Sequence, residues 1–307
     1  VPGHLRPEGE DPVTTTTSRV AGGRVGFPEA ARMEWIKLRS LRSTWWVLAL
    51  TVAGAAAIAV AVGVNTEDAA ADLTNNALAG ISLGLLLVGV LGVLAMTGEH
   101  SSGTIRATLA AVPNRPLVLA AKAAVFGVLA LAAGEVAAFV SFFAGGAALP
   151  ARITGPALGQ PGVLRAVVLG GAGYCLIGLL GLGFGAVVRH TALAVGLLVG
   201  GVYVVAQLLA GLAPVVMPWL PIAVVANSLT VERPGMAIGD VRFLSPWAGL
   251  GVLTLYAAVA LGAGAWRTFR AVILPLALPA VVAGSIFTFS LTLGDFVAVN
   301  IVGGKTQ

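Results

Sequence analysis

The sequence contains few charged residues: Lys and Arg number 18 and Asp and Glu 13, which is 10% of 307 residues. Soluble domains carry about 25% charged and about 45–50% apolar residues. This chain is instead 58% hydrophobic, with a mean hydropathy of +0.96. The scarcity of charge excludes a soluble globular protein, and the sequence therefore predicts an integral membrane protein.

Cysteine and histidine are also scarce. The single cysteine, Cys175, lies within an apolar run, so an internal disulfide is excluded and redox chemistry is not expected. The three histidines, His4, His100 and His190, are scattered along the chain, and the sequence contains no metal-ligand cluster, nucleotide-binding motif or nucleophile triad. We therefore expect no metal or cofactor in this chain and no enzymatic activity of its own.

Positive charge is distributed unevenly around the apolar runs. The net charge of +5 does not indicate nucleic-acid binding, because the arginines flank apolar segments and suit the anionic inner leaflet of a membrane. The loop Asn65–Asn76 carries three acidic residues and no cation, whereas most Lys and Arg near the spans fall on the other side. This asymmetry predicts a cytosolic N-terminus.

Six apolar runs are long enough to cross a hydrocarbon core of about 30 Å as helices: Trp45–Val64, Ala77–Thr97, Ala123–Leu149, Ala166–Val188, Ala192–Ala213 and Trp247–Trp266. The sequence thus predicts an all-α polytopic membrane protein. Residues 1–26 precede the spans as a polar cytosolic tail that we expect to be disordered. Pro214–Ala226 is apolar but too short to cross, and either re-enters the membrane as short helices or forms a simple outer loop.

A seventh apolar run, Ala271–Gly294, holds 24 uncharged residues before Asp295. It is long enough to cross the membrane outward, which would leave Lys305 outside. We expect this crossing, with loose packing against the other six helices. The competing possibility is a segment that stays at the inner surface, bent at Pro275 and Pro279.

The segment Gly98–Arg115, called here the polar loop, separates the second and third spans. Lipid would not tolerate its charged residues, so it is expected at the membrane surface. Its pattern predicts a small helix that Pro113 ends. The residues expected to cap this helix are Ser101, Ser102 and Thr104, and those expected on one face are Ile105, Leu109 and Val112.

The polar loop matches a known pattern at Glu99, Ser101-Ser102-Gly103-Thr104-Ile105, Leu109, Pro113, Asn114 and Arg115. These residues, placed after the second span, resemble the first cytosolic loop of ABC-2 type transporter permeases, an exporter family. In that family the loop is a coupling helix that docks on a separate ATPase subunit, which holds ATP and Mg. The resemblance implies ATPase-coupling roles for Glu99, Gly103, Thr104, Arg106, Pro113 and Arg115. A passive connecting loop is the alternative.

Phe27–Thr44, before the first span, has the pattern of a helix lying on the inner leaflet. Its apolar residues at helical spacing are Trp35, Leu38, Leu41 and Trp45, and its charged residues between them are Glu34, Lys37, Arg39 and Arg42. An ordinary basic flank is the alternative. The segment also resembles the connecting helix that opens ABC-2 permeases, which implies that Glu34 and Lys37 take part in ATPase coupling.

Glu135 is the only acidic residue within the first six predicted spans and falls near the middle of its span. A carboxylate at this depth faces a wet cavity, binds a cationic group or is protonated. Tyr203 and Gln207 in the fifth predicted span could line the same space. We expect these three residues to line a transport pathway; a hydrogen bond between helices is the alternative for Glu135.

The C-terminal segment 271–307 resembles a second family, the permeases of spermidine/putrescine-type ABC importers. In those proteins an E-A-A-x-x-x-G loop precedes I-x-L-P and docks on the ATPase. Here Tyr256, Ala257, Ala258 and Gly262 occupy the register of that loop, but they lie inside the sixth predicted span and tyrosine replaces the glutamate. The importer docking function is therefore expected to be absent, and the exporter-like domain is predicted to cover residues 27–270.

These features predict the permease subunit of an ABC-2 type exporter in the cytoplasmic membrane. The resemblance implies a homodimer or heterodimer around a pathway, driven by a separate ABC ATPase subunit. The partners are thus the ATPase, a second permease and the lipid bilayer, without nucleic acid. The alternatives are a permease of a polyamine-type importer, which the tail alone favours, and a membrane-anchored assembly or immunity protein without transport activity.

Overall fold

The computed structural model of the protein describes residues 26–68, 71–112, 114–205, 208, 214–231, 237–238 and 241–268. The predicted N-terminal tail apart from Gly26, and the predicted seventh helix, lie outside these ranges. The helices are α1 (Phe27–Ser40), α2 (Arg42–Val64), α3 (Leu73–Ala77), α4 (Ile81–Ser101), α5 (Thr104–Ala111), α6 (Arg115–Ala147), α7 (Val163–Val188), α8 (Thr191–Gly196), α9 (Pro221–Leu229) and α10 (Pro246–Thr268). Two-residue strands, Ala237–Ile238 and Val241–Arg242, form one antiparallel pair. The predicted all-α polytopic fold is confirmed.

Five helices of the described part are long and apolar enough to cross a membrane: α2, α4, α6, α7 and residues 246–264 of α10. They correspond to the first four predicted spans and the sixth. Of the fifth predicted span, the described part is α8, which continues as a π-helix over Leu197–Val204. Residues 206–207 and 209–213 of that span, including Gln207, lie outside the described residues.

Among the predicted helix starts, those of α4 and α6 differ most from the structure. α4 begins at Ile81 because Ala77 ends the separate short helix α3. α6 begins at Arg115, well before the predicted start at Ala123, and the Asn114 side chain caps it by accepting a hydrogen bond from the Leu117 amide at 3.3 Å. The apolar pattern alone missed this extension because Arg115 and Lys122 interrupt the apolar run at the start of α6.

α7 packs against α4, α6 and α10 and forms the centre of the bundle. Glycines allow the backbones to approach closely, as in membrane helix pairs with small residues at the interface. A methyl group at Gly181 of α7 would overlap the carbonyl oxygen of Gly89 in α4, and one at Gly80 would overlap the backbone of Ala55 in α2. Gly196 and Gly200, in contrast, have no atom within 4 Å of such a methyl group.

The segment after the fifth predicted span forms two short helices. A 3₁₀ turn covers Pro214–Trp219, and α9 follows it. α9 packs on both α7 and α10, where Val225 lies against Gly173 and Val224 lies against Gly249. The structure therefore favours short helices covered by the bundle over a simple apolar loop, as a re-entrant segment requires.

Candidate functional site

The N-terminal helix α1 is separate from the first span. It ends at Ser40, Leu41 adopts an extended conformation, and α2 begins at Arg42. The residues of α1 that are buried against the protein are Ala30, Glu34 and Leu38. Glu34, which the sequence placed among the charged residues of an interfacial helix, is 0% exposed, and its burial was not predicted.

The predicted apolar face of this segment instead points away from the protein. Trp35 is 40%, Leu41 51% and Trp45 46% exposed, and of the four predicted residues only Leu38 is buried. An apolar face on the outside of the protein suits contact with lipid at the membrane surface, where tryptophan is favoured. The structure is compatible with the lipid-facing interpretation, and the face of α1 that contacts the protein carries Ala30, Glu34 and Leu38.

Four charged side chains from three helices meet at one end of the bundle, and we call them the charge cluster: Glu34 and Lys37 of α1, Glu99 of α4 and Lys122 of α6. Lys37 Nζ donates to Glu34 Oε1 and to Glu99 Oε1, each at 2.9 Å. Lys122 Nζ donates to Glu99 Oε1 at 2.8 Å and to Glu34 Oε2. Each ammonium group therefore binds both carboxylates, and the cluster joins α1, α4 and α6.

Burial makes this cluster unusual for a surface helix. The exposed fractions of the side chains are 0% for Glu34, 5% for Lys122, 11% for Glu99 and 32% for Lys37. Two cations balance two carboxylates, so the cluster is neutral, which is what allows charges to be buried. Burial alone would lower the pKa of Lys37, but the hydrogen bonds to Glu34 and Glu99 outweigh it and raise that pKa.

The polar loop contains the predicted helix, α5, at the same end of the bundle. Gly103 precedes it with φ of 72°, a left-handed conformation that favours glycine. No side chain caps α5, so the predicted capping role was wrong for Ser101, Ser102 and Thr104. The hydroxyls of Ser101 and Ser102 instead donate to the carbonyl of Gly98 in the last turn of α4.

α5 presents one face to the protein and one away from it. Thr108 and Val112 are buried, at 5% and 3% exposure, and Thr104, Ala107 and Ala110 are exposed. Lys37 Nζ donates to Thr108 Oγ1 at 3.0 Å. α5 is thus tied directly to the charge cluster while its outer face is available for contact.

The structure brings together only some of the predicted coupling residues. Glu34, Lys37 and Glu99 are joined in the charge cluster, and Gly103 and Thr104 lie at the start of α5. Arg115 is the first residue of α6, and its Nη1 is buried without a hydrogen-bond partner. The side chain of Arg106, and all of Pro113, lie outside the described residues.

Sequence reasoning missed two members of this site, Lys122 and Thr108. Lys122 was counted only as a cation near the membrane, although a lysine between apolar residues at the start of a span requires an acidic partner. That requirement could have identified it, since Glu99 and Glu34 are among the acids predicted at the same membrane surface. Thr108 carried no comparable signal, because threonine is common in short polar helices.

The predicted pathway residues lie elsewhere in the bundle. Glu135 is half-buried near the middle of α6 and rests on α7, where a methyl group at Gly171 would overlap its carboxylate. The hydroxyl of Tyr203, in the π-helix, is buried without a partner, as is that of Tyr174 in α7. Gln207 lies outside the described residues. Among the residues that the structure describes, no three His, Cys, Asp or Glu side chains are grouped so as to hold a metal ion.

Comparison with known proteins finds a family match at the C-terminal end of the chain. Residues 253–307 match the family described as binding-protein-dependent transport system inner membrane component. The match covers less than half of the chain and begins inside α10, before the predicted boundary at residue 271. Of the matched residues, the structure describes 253–268.

Curated relatives of the chain are permeases of transport systems. One is the inner membrane ABC transporter permease protein YdcU of Escherichia coli strain K12, 41% identical over 106 residues, which cover 30% of this chain and 33% of the relative. Another is the molybdenum transport system permease protein ModB of Haemophilus influenzae, 47% identical over 55 residues, or 17% of this chain and 24% of the relative. The ModB protein of E. coli K12 is 40% identical over 63 residues, which cover 19% of this chain and 28% of the relative. The chain therefore spans no more than a third of the length of these relatives.

These matches support an ABC transporter permease, a multi-pass membrane subunit. The matched proteins are importer-type permeases, as the resemblance of the C-terminal segment predicted. They give no support to the ABC-2 exporter type that the polar loop resembles. The importer alternative therefore fits the comparisons better than the exporter prediction does.

Proposed function

We propose that this chain is the membrane permease subunit of an ABC transporter and that α5 is the element on which a separate ATPase subunit acts. The charge cluster carries this proposal. It joins the three helices around α5 at one end of the bundle, and it does so with buried ion pairs that hold them in a fixed arrangement. Such an arrangement is not needed by a passive connecting loop.

The hydrogen bonds give a route by which a displacement of α5 reaches the spans. The outer face of α5 offers Thr104, Ala107 and Ala110 to a partner. Thr108, on the inner face, binds Lys37 of α1, and the carboxylate of Glu99 connects the end of α4 to Lys122 of α6. Movement of α5 would therefore shift α1, α4 and α6 together. In this proposal Glu34 acts inside the protein, because its burial prevents contact with the ATPase.

The comparisons favour import as the direction of transport, since the matched family belongs to binding-protein-dependent systems. In this proposal the ATPase does not bind at the position of the importer docking loop. The residues in that position, which begin at Tyr256, lie within α10, where the Tyr256 hydroxyl donates to the carbonyl of Trp219 at 3.0 Å. α5 lies outside residues 253–307, and its resemblance to the ABC-2 coupling helix keeps export as the second candidate. Molybdenum is named for the ModB relatives and is not carried over to this chain.

The subunit arrangement follows from the same proposal. A permease of this kind pairs with a second permease, either a copy of itself or a different chain, and binds two ATPase subunits that hold ATP and Mg. The excess of Lys and Arg beside the spans at the charge-cluster end supports a cytosolic location for that end and for the N-terminus. The membrane is then the cytoplasmic membrane.

Co-purification with an ATPase tests the proposal. The tagged full chain, extracted from native membranes in mild detergent, should bring down a subunit with ABC ATPase motifs whose ATP hydrolysis depends on the permease. Glu99→Ala and Arg115→Ala should leave membrane insertion intact and lower that hydrolysis. Glu67→Ala, in the loop between α2 and α3, is the matched control and should not change it.

The outcomes separate the three candidate functions. Uptake into right-side-out vesicles indicates an importer, and uptake into inside-out vesicles indicates an exporter. A chain that purifies without any ATPase, and whose Glu99 and Arg115 variants behave like the wild type, would contradict the transport proposal and favour an assembly or immunity protein.

A further inference from the structure

We propose that Glu135 binds the charged group of a lipophilic organic cation within the membrane. The proposal deepens the permease function and rests on it, because it gives the chemical class of the molecule that this permease would bind. It is carried by the depth of the carboxylate, by the groove in which it lies and by the lack of a cationic partner in the described part of the chain.

Glu135 lies near the middle of the membrane-spanning part of α6. Lys122, in the charge cluster, is 13 residues before it, and Ala147, where α6 ends, is 12 residues after it. At about 1.5 Å per residue these distances are roughly 20 Å and 18 Å along the helix. A carboxylate at this depth is costly unless it has a partner or faces water.

The α6–α7 groove gives the carboxylate a defined place. Its carboxyl atoms occupy the position that a methyl group at Gly171 of α7 would fill, so the absence of a side chain there makes room for it. Glu135 remains partly exposed in this position. The carboxylate is therefore held against α7 and is still accessible from outside the bundle.

Two cations of α6 and α7 in the described residues, Lys122 and Arg165, are bound to other groups. Lys122 binds the two carboxylates of the charge cluster. At the opposite end, Arg165 of α7 donates to the carbonyl of Thr230 at 2.7 Å. Within the described ranges Glu135 has no ion pair or side-chain hydrogen bond, and a ligand with a positive charge would supply the missing partner.

The surroundings select an organic cation over a metal ion. Ca²⁺ takes about 6–8 oxygen ligands and Mg²⁺ about six, but Glu135 is the only acidic residue within the first six predicted spans, and the described residues contain no group of three His, Cys, Asp or Glu side chains that could hold a metal ion. The exposed large side chains close in sequence to Glu135 and to Gly171 are apolar: Val128, Leu131 and Val136 of α6 and Val168 of α7. A ligand with one diffuse positive charge and an apolar body satisfies both features.

Binding of tetraphenylphosphonium to the full chain in phosphatidylcholine nanodiscs tests the proposal without an ATPase. Equilibrium dialysis measures the affinity, and triphenylphosphine oxide serves as a neutral compound of similar shape. Glu135→Gln should weaken tetraphenylphosphonium binding by about tenfold or more, since about 1.4 kcal/mol corresponds to a factor of ten. Binding of the neutral compound should not change. Glu67→Gln removes the same charge from an exposed loop and should leave both affinities as in the wild type.

A second variant keeps the Glu135 carboxylate but changes its position. Gly171→Ala should displace the carboxylate and also weaken tetraphenylphosphonium binding, while size-exclusion chromatography reports whether the protein is intact. Equal affinity in the wild type and Glu135→Gln would overturn the proposal, and so would an equal loss in Glu67→Gln. Either result leaves co-purification of the ATPase unaffected, so failure of the cation site is distinguishable from failure of the permease function.

Discussion

Replacing Lys122 with methionine should destabilise the protein more than replacing Lys37, although both ammonium groups bind the same two carboxylates. The difference follows from exposure. Lys122 is 5% exposed and Glu34 is 0% exposed, so water cannot replace the lost ammonium group. Lys37 is 32% exposed, and water can partly take its place.

The expected magnitudes differ accordingly. Removing one partner of a buried ion pair costs about 3–5 kcal/mol, because the other charge remains buried and unpaired. Removing a partly exposed charged donor costs about 1.5 kcal/mol. The double variant Glu34→Gln, Lys122→Met leaves Lys37 and Glu99 as a neutral pair and should recover much of the loss, since replacing a whole buried pair is often close to neutral.

Unfolding of the purified protein in a denaturing detergent, followed by circular dichroism, measures these free energies. A double-mutant cycle between Glu34 and Lys122 then gives their interaction energy. The reasoning would be refuted if Lys122→Met cost no more than Lys37→Met, or if the double variant were as unstable as the sum of the two single ones.

Three further predictions concern packing, coupling and pH. Gly181→Ala should cost about 1–3 kcal/mol of stability through overpacking against α4, whereas Gly200→Ala, which meets no atom within 4 Å, should be nearly neutral; thermal unfolding compares the two. Thr108→Val should lower ATP hydrolysis by the partner without reducing expression, and Thr254→Val, at an exposed position of α10, is its control. Lys37 should contribute its full free energy of stabilisation below its ordinary pKa of 10.5, and this contribution should be lost as the pH rises through its raised pKa. Unfolding curves of the wild type and Lys37→Met over a series of pH values measure this loss.

The positions of the spans could be predicted because each depends on a local apolar run. The cores of α2, α4, α6 and α7 were found from hydropathy alone. These features need no knowledge of a distant partner. Helix ends were less predictable, since local patterns assign Ser101 and Ser102 to capping the helix of the polar loop, whereas their hydroxyls donate to the carbonyl of Gly98 in the last turn of α4.

The charge cluster could be predicted only in part. Glu34, Lys37 and Glu99 were singled out through resemblance to a family, but their mutual contacts were not expected. Glu34 and Lys122 are 88 positions apart, and a local sequence pattern cannot reveal such a partner. The burial of Glu34 was therefore not predicted, and it follows from ion pairing between helices.

Family resemblance was informative at the C-terminus and remains a prediction for the polar loop. The importer-type wording of the tail agrees with the matched family over residues 253–307. The resemblance of the polar loop to ABC-2 permeases has no such support, and the proposed function of the loop rests on the structure of α5 and the charge cluster. Short motifs show which element to test, while the contacts around that element show how it could act.

Cross-linking between α5 and the ATPase tests the central claim most directly. A single cysteine placed at Ala107, on the exposed face of α5, in a Cys175→Ser background should form a cross-link to the ATPase subunit that changes in yield between nucleotide-free and ATP-bound states. A cysteine at Glu67, in the loop between α2 and α3, should form none. A cross-link from Glu67 and none from Ala107 would contradict the assignment of α5 as the element on which the ATPase acts.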